Sequence, residues 1–279
     1  MLTPGFRYES IDQSRTRYRD GAQRSFRDSR ENHTSVFLPG LGAIYRLNDN
    51  FSLVAGVHKG FTAPSNSPGV REEEAVNTEL GFRFKDELAA FEVIAFQSDY
   101  ANLLGECTAS SGTNCEIGDA FNGDAATVRG VEVFGAKQFL LSDGLSLNTQ
   151  LAYTYIDGQF DTSIADTDFF GDVAAGDPIP YIPEHQFQLS VSLDAAKWQV
   201  SANLGKVDAV CTRASCGLFE KTDSSTNLDL AAQYYVQDNL KLFSRIENLT
   251  DERDILGRQP YGARPNKDRT ASVGVEIRF

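Results

Sequence analysis

No stretch of this 279-residue chain approaches the ~18 consecutive apolar residues of a membrane-crossing helix, so a helical span is excluded. Basic residues are short: 26 Lys and Arg stand against 39 Asp and Glu, a formal net charge of −13. That balance argues against a nucleic-acid partner, whose binding face carries a basic excess. There are 3 histidines, His33, His58 and His185, scattered and outside any metal or triad spacing. No G-x-S-x-G, P-loop or H-E-x-x-H is present, so no catalytic residue and no metal ligand is assigned and the chain is not read as an enzyme. The first residues have neither the basic nor the apolar region of a signal peptide. For an exported protein this implies an upstream start, with Met1 internal or artificial.

What is plentiful is aromatic side chains (1 Trp, 10 Tyr, 19 Phe), 23 glycines and many small polar residues. Mean hydropathy is −0.32, which does not exclude a membrane barrel, because barrel strands need only alternate. Alternation is what the chain shows. In Phe187-Gln188-Leu189-Ser190-Val191-Ser192-Leu193 odd positions are apolar and even ones polar. Trp198 to Gly205, Asn227 to Val236 and Ser272 to Phe279 repeat the pattern. Period two means strands with one apolar and one polar face. Twelve are predicted, at 2–11, 34–46, 51–62, 73–84, 88–99, 126–138, 144–157, 184–194, 197–206, 224–236, 240–248 and 268–279. Most match the ~9–11 residues of a tilted membrane strand rather than the five or six of a sandwich strand.

The connections between them alternate. Short ones at 47–50, 85–87, 139–143, 194–196 and 237–239 carry Asp or Asn to turn the chain. Long ones run over 12–33, 63–72, 100–125, 158–183, 207–223 and 249–267. Outer-membrane barrels have short periplasmic turns and long extracellular loops, with apolar residues toward lipid and polar ones toward the lumen. A soluble sandwich has no reason to sort its loops so. The reading is an all-β, antiparallel transmembrane β-barrel in the bacterial outer membrane. Glu79, Glu92, Glu132, Glu247 and Arg278 are expected on the lumen side. Its rivals are a complete twelve-stranded passive channel, a membrane-embedded hydrolase of that size, and a soluble adhesin-like β domain.

Several segments then resemble one family in order. Arg245-Ile246-Glu247-Asn248-Leu249-Thr250-Asp251-Glu252 is similar to the Asn-Leu-(Phe/Thr)-Asp segment near the end of TonB-dependent receptors. Upstream, Gly60-Phe61-Thr62-Ala63-Pro64-Ser65, Glu73 to Gly81, and Arg129-Gly130-Val131-Glu132 resemble family segments too. Tyr261-Gly262-Ala263-Arg264-Pro265 and Ile182-Pro183-Glu184-His185-Gln186 look most like the ferric-citrate branch. The family's barrel has 22 strands around a plug, so residues 1–279 would be its C-terminal part, without the plug and the first strands. The resemblance implies import of an iron chelate (a siderophore, or ferric citrate) with no cofactor, energised by TonB-ExbB-ExbD through the part that is missing. It also implies contact with membrane lipid and lipopolysaccharide, and a terminal Phe279 read by the barrel-assembly machinery.

Three long connections carry candidates. Cys107 and Cys115 share one, Cys211 and Cys216 another, and surface loops are where disulfides belong. Local pairing, Cys107–Cys115 and Cys211–Cys216, is favoured over the other two connectivities. The 12–33 segment holds Arg15, Arg17, Arg19, Arg24, Arg27 and Arg30 against Asp12, Asp20, Asp28 and Glu31, locally near +2. One reading is a solvated or lipopolysaccharide-facing loop. The other is an anion-binding mouth with Arg24, Arg27 and Arg30 as ligand-binding candidates, since guanidinium forks grip carboxylates in pairs. The acidic 158–183 segment (Asp161, Asp166, Asp168, Asp172, Asp177) has oxygen ligands that calcium favours, but lacks EF-hand spacing and is read as solvated.

Overall fold

The computed structural model describes residues 1–22, 24–64, 66–67, 69–108, 116–167 and 170–278. In chain order come β1 (Leu2–Tyr18), β2 (Phe26–Arg46), β3 (Phe51–Thr62), β4 (Glu73–Lys85) and β5 (Ala89–Tyr100), then a short pair, β6 (Leu104–Glu106) and β7 (Ala120–Asn122). Next are β8 (Ala126–Ser142), β9 (Leu145–Phe160) and a second short pair, β10 (Ile164–Thr167) and β11 (Gly171–Val173). The chain continues through β12 (His185–Ala195), β13 (Trp198–Val207), β14 (Ser225–Gln237) and β15 (Leu240–Glu247). A third pair, β16 (Ile255–Gly257) and β17 (Arg264–Pro265), precedes β18 (Thr270–Ile277).

The twelve long strands form one sheet in the order β1-β2-β3-β4-β5-β8-β9-β12-β13-β14-β15-β18, each antiparallel to its neighbour. β1 and β18 are its two edges, and the sheet is not closed. Every expected long strand is present. The main correction falls on the expected 12–33 loop, most of which is strand. Pairing runs unbroken from Leu2↔Ala43 to Arg17↔Asp28, and the turn closes where the Arg19 N–H donates to the Ser25 carbonyl at 2.8 Å.

Paired residues opposite one another share a face, so register shows which side chains sit together. One face carries Leu151, Leu189, Leu204 and Leu228 in a row across four strands. The other carries Gln150, Ser190, Asn203 and Asp229 in the next row. On the apolar face aromatics gather at both ends. Phe51, Phe84 and Phe91 are in register near the short turns, as are Trp198 and Tyr234. Tyr8 and Phe37, and Tyr153 and Phe187, are in register near the long connections. From Phe51 to Phe61 is ten steps of about 3.3 Å, which at a tilt of about 40° spans the ~25 Å apolar band of an outer-membrane barrel.

The buried side chains of the long strands, among the described residues, are Thr34, Val36, Leu38, Ala75, Ile94, Ala126 and Phe160. All share the polar face. The apolar face stays open, with Phe6, Leu80 and Val273 largely exposed. A soluble sheet would bury the apolar face; here lipid is its solvent.

The short turns are held by side chains. The Asn48 carbonyl oxygen accepts from the Asn50 and Phe51 N–H groups, and Asp86 does the same for Leu88 and Ala89. β8 runs further than expected and leaves a two-residue turn, Asp143-Gly144, with Gly144 at φ +73°, where only glycine is unstrained. At the end of β15, Asn248 is 3% exposed with φ +52°. Its amide donates to the Glu252 and Lys267 carbonyls, and its oxygen accepts the Glu252 N–H. The Asn-Leu-Thr-Asp motif therefore pins both ends of the last long connection.

Candidate functional site

The long connections do not splay outward. They fold over the polar face in two assemblies built differently. The first comprises the projecting β1–β2 hairpin and the 101–125 connection. Register puts Arg15, Arg17, Asp28 and Arg30 on the hairpin's polar face, above Val36 and Leu38. Arg17 pairs next to Asp28, and Tyr18 next to Phe26, which leaves Arg27 as the extra residue of a β-bulge. A bulge re-aims the side chain it carries, and Arg27 reaches the Glu116 carboxylate. Arg17 grips Asp28 at 2.8 Å and also meets Glu116. Arg15 and Arg30 reach Asp119 at 3.4 and 3.3 Å. Arg17 is 12% exposed and Asp119 18%, so their charges are screened less than those of Arg27 and Glu116, which are 45% and 42% exposed.

Of the residues singled out in sequence, Arg27 and Arg30 therefore join this cluster. Arg24 does not: it sits exposed in the turn, its backbone N–H donating to Asp20 at 3.0 Å. Arg15 and Arg17 belong to the site and were not among the candidates, and their acidic partners were missed. The available signal was the period-two spacing Gln13, Arg15, Arg17 and Asp28, Arg30, Asn32, which continues the strand pattern. It was masked because both faces of the projecting hairpin are polar.

The second assembly draws together 158–183, 207–223 and 249–267. Ala126, Phe160, Phe170, Val173, Ile179 and Ala214 form a buried core, with Phe121 and Ile182 packed on it. The Phe170 ring meets Phe160 edge-on at 5.0 Å and Phe121 at 5.7 Å. Cys211 and Cys216 are joined by a disulfide, with 5.1 Å between Cα atoms. Tyr181, at φ +63°, ties the three segments together. Its N–H donates to the Cys211 carbonyl, and its hydroxyl accepts the Gln259 N–H at 3.0 Å. The Glu220 carboxylate accepts the Gly217 N–H and the Ser215 hydroxyl and faces Arg213. The Gly217 N–H first, then the Ser215 hydroxyl and Arg213, hold that carboxyl below the usual carboxylate range.

Cys107 is disulfide-bonded and buried; the expected pairing with Cys115 lies outside the described residues, as do Asp168 and Phe279. In the acidic connection, Asp177 accepts the Ala174 N–H and Asp161 the Thr127 hydroxyl. Among the described residues no group of His, Cys, Asp or Glu is arranged to hold a metal.

Beneath both assemblies the polar wall changes character along the sheet. Over β4, β5 and β8, Glu79, Arg83, Glu92 and Glu132 line a concavity of about 540 Å³, with Arg83 paired to Glu92. Over β9 to β14 the wall is mostly amide and hydroxyl, as in Gln199 bonded to Gln233 at 2.6 Å, with the carboxylates Asp194 and Asp229 on the same face. The arrangement can hold anions at its mouth and pass polar solutes.

Residues 1–249 match the family model described as TonB dependent receptor-like, beta-barrel. The vitamin B12 transporter BtuB of Photobacterium profundum is 24% identical over 233 residues, 79% of this chain and 35% of that protein. The siderophore receptor PiuA from Acinetobacter baumannii superposes with a TM-score of 0.79 at 17% identity, over 99% of this chain and 40% of that one. The unliganded ferric citrate transporter FecA superposes with a TM-score of 0.73 at 18% identity, over 100% of this chain and 42% of that one. The chain thus spans less than half the length of each of these.

Proposed function

Because this chain belongs to the TonB-dependent receptor-like β-barrel family and forms outer-membrane barrel wall, we propose that it is the C-terminal barrel part of a receptor that imports an iron chelate. The upstream strands and a plug lie in the rest of that receptor, and TonB-ExbB-ExbD supplies the energy through that part. The work is transport rather than catalysis, and the ferric chelate is cargo rather than cofactor. Lipid and lipopolysaccharide contact the apolar face, and Phe279 serves assembly.

The observation that carries the reading is a polar sheet face, lined below by hydrogen-bonding groups and roofed by loops that hold an arginine cluster. Guanidinium forks favour carboxylates, so the chelate is anionic, of the ferric-citrate type. FecA is named for that ligand and BtuB for vitamin B12, which sets up the test. Cells carrying the full-length protein should take up iron(III) citrate, and the change of Arg15, Arg17, Arg27 and Arg30 together to Gln should weaken capture about tenfold. That estimate takes one charge-assisted bond at about 1.5–3 kcal/mol. Cobalamin capture should not depend on these arginines. Capture of iron(III) citrate within twofold of the parent would remove the hairpin from the site.

A further inference from the structure

We propose that Glu116 and Asp119 are a built-in competitor for the anion site, holding the guanidiniums of Arg15, Arg17, Arg27 and Arg30 until a carboxylate-bearing ligand takes their place. The proposal rests on the reading of the hairpin as an anion site, and adds how that site is kept and released.

Three observations lead to it. First, each of the four guanidiniums is already engaged by a carboxylate. The site as built is an anion site with its anion supplied by the protein. Second, Glu116 and Asp119 come from a different connection, 89 to 104 residues away in sequence. Third, the cluster is partly withdrawn from water, with Arg17 12% and Arg30 22% exposed. Glu116 is 42% and Arg27 45% exposed, so each pair is of modest strength and open to an arriving solute. An incoming carboxylate can take the place of Glu116 and Asp119 pair by pair, and the step is an exchange of one carboxylate for another.

The exchange links capture to loop release. A tethered carboxylate acts at an effective concentration of the order of millimolar. Apparent affinity is the intrinsic affinity reduced by the fraction of molecules whose arginines are free. When the ligand moves inward, the same carboxylates return and reset the mouth. A tie made by apolar packing would be indifferent to anions, like the core of the neighbouring assembly.

The test uses the full-length protein in outer-membrane vesicles, with iron(III) citrate as probe. Glu116→Gln with Asp119→Asn should tighten capture about tenfold, because the competitor is gone while the arginines remain. Asp12→Asn with Glu31→Gln makes the same change of charge on the same hairpin but on its other face, and should stay within twofold, which separates competition from general charge. Hydrogen exchange gives a second readout: iron(III) citrate should raise exchange at residues 116–119 in the parent. In the double variant exchange should start above the parent's and be unmoved by ligand, with the Gly118 and Asp119 N–H groups still bonded to the Cys107 and Glu116 carbonyls. Equal or weaker capture by the double variant, while the arginine variant loses capture, overturns the competitor and leaves the anion-site reading standing. No effect of the arginine changes, or no capture by the parent, overturns both.

Discussion

The two loop assemblies over the polar face solve one problem with opposite chemistry. The assembly of 158–183, 207–223 and 249–267 is held by Phe160, Phe170, Val173, Ile179 and Ala214, by the Cys211–Cys216 disulfide and by the Tyr181 hydroxyl. The β1–β2 hairpin meets the 101–125 connection chiefly through arginines and carboxylates. Apolar burial has no preferred exchange partner in water, whereas an ion pair can be replaced by any better anion. The first assembly is suited to be a fixed rim. The second is suited to answer a solute.

The strongest way to break that contrast is to attack the fixed rim. Phe160 is 1% exposed at the meeting of β8, β9 and the Phe170 ring. Phe160→Ala leaves a cavity, and such changes cost about 3–5 kcal/mol. Local opening of 158–183 and 207–223 should rise by two orders of magnitude or more, read as hydrogen exchange in the full-length protein. Exchange in the β1–β2 hairpin should stay as it was. Equal loosening of both assemblies would mean that they form one cooperative unit and that the contrast is false.

The parts legible in sequence are those with a repeating physical demand. Lipid on one side and water on the other force strict alternation, so Phe187 to Leu193 announced its strand and its two faces. Loop sorting followed from the same demand. The hairpin extension was not legible, because beyond the apolar band both faces of Gln13 to Arg17 meet water and polar partners, and the contrast that marks a strand disappears. The outer core was hidden for another reason. Phe160 ends β9 beyond the expected strand, Phe170 and Ile179 come from irregular segments with no period, and only the folded path brings them together. Asn248 shows the middle case: its motif resembled the family's, yet its role as a pin for Glu252 and Lys267 emerges only from the hydrogen bonds.

A smaller effect sharpens the contrast from the ionic side. Raising salt from about 0.1 to 1 M shortens the Debye length from about 10 to about 3 Å. Exposed ion pairs contribute roughly 0.2–1 kcal/mol each, and these pairs are only partly withdrawn from water. Exchange at residues 116–119 should therefore rise several-fold with sodium chloride, while the Phe160 amide does not follow. A salt-insensitive hairpin contact would show that it is held by packing, and the proposed exchange of carboxylates would lose its basis.

The smallest effect tests whether any charge matters inside the fixed rim. Glu220 closes the tip of the 207–223 connection by accepting the Gly217 N–H at 2.9 Å and the Ser215 hydroxyl at 2.8 Å. Its carboxyl is held below the usual range, first by the Gly217 N–H, then by the Ser215 hydroxyl and Arg213. A depressed folded value means that the charged form binds better in the closed tip than in the open one. The contribution is therefore present above the ordinary carboxylate value and is lost as pH falls through the folded value. Glu220→Gln keeps one carbonyl oxygen for the Gly217 N–H and removes the charge. At pH 7 the parent should protect the Gly217 amide better than the variant. In acid, as pH falls through the folded carboxyl value, the two should converge, because the parent carboxyl is then increasingly neutral. Comparing the two proteins at each pH cancels the intrinsic pH dependence of exchange. Parent and variant differing by the same factor at both pH values would assign the tip to hydrogen-bond geometry alone, leaving the rim with no charge-dependent element at this position.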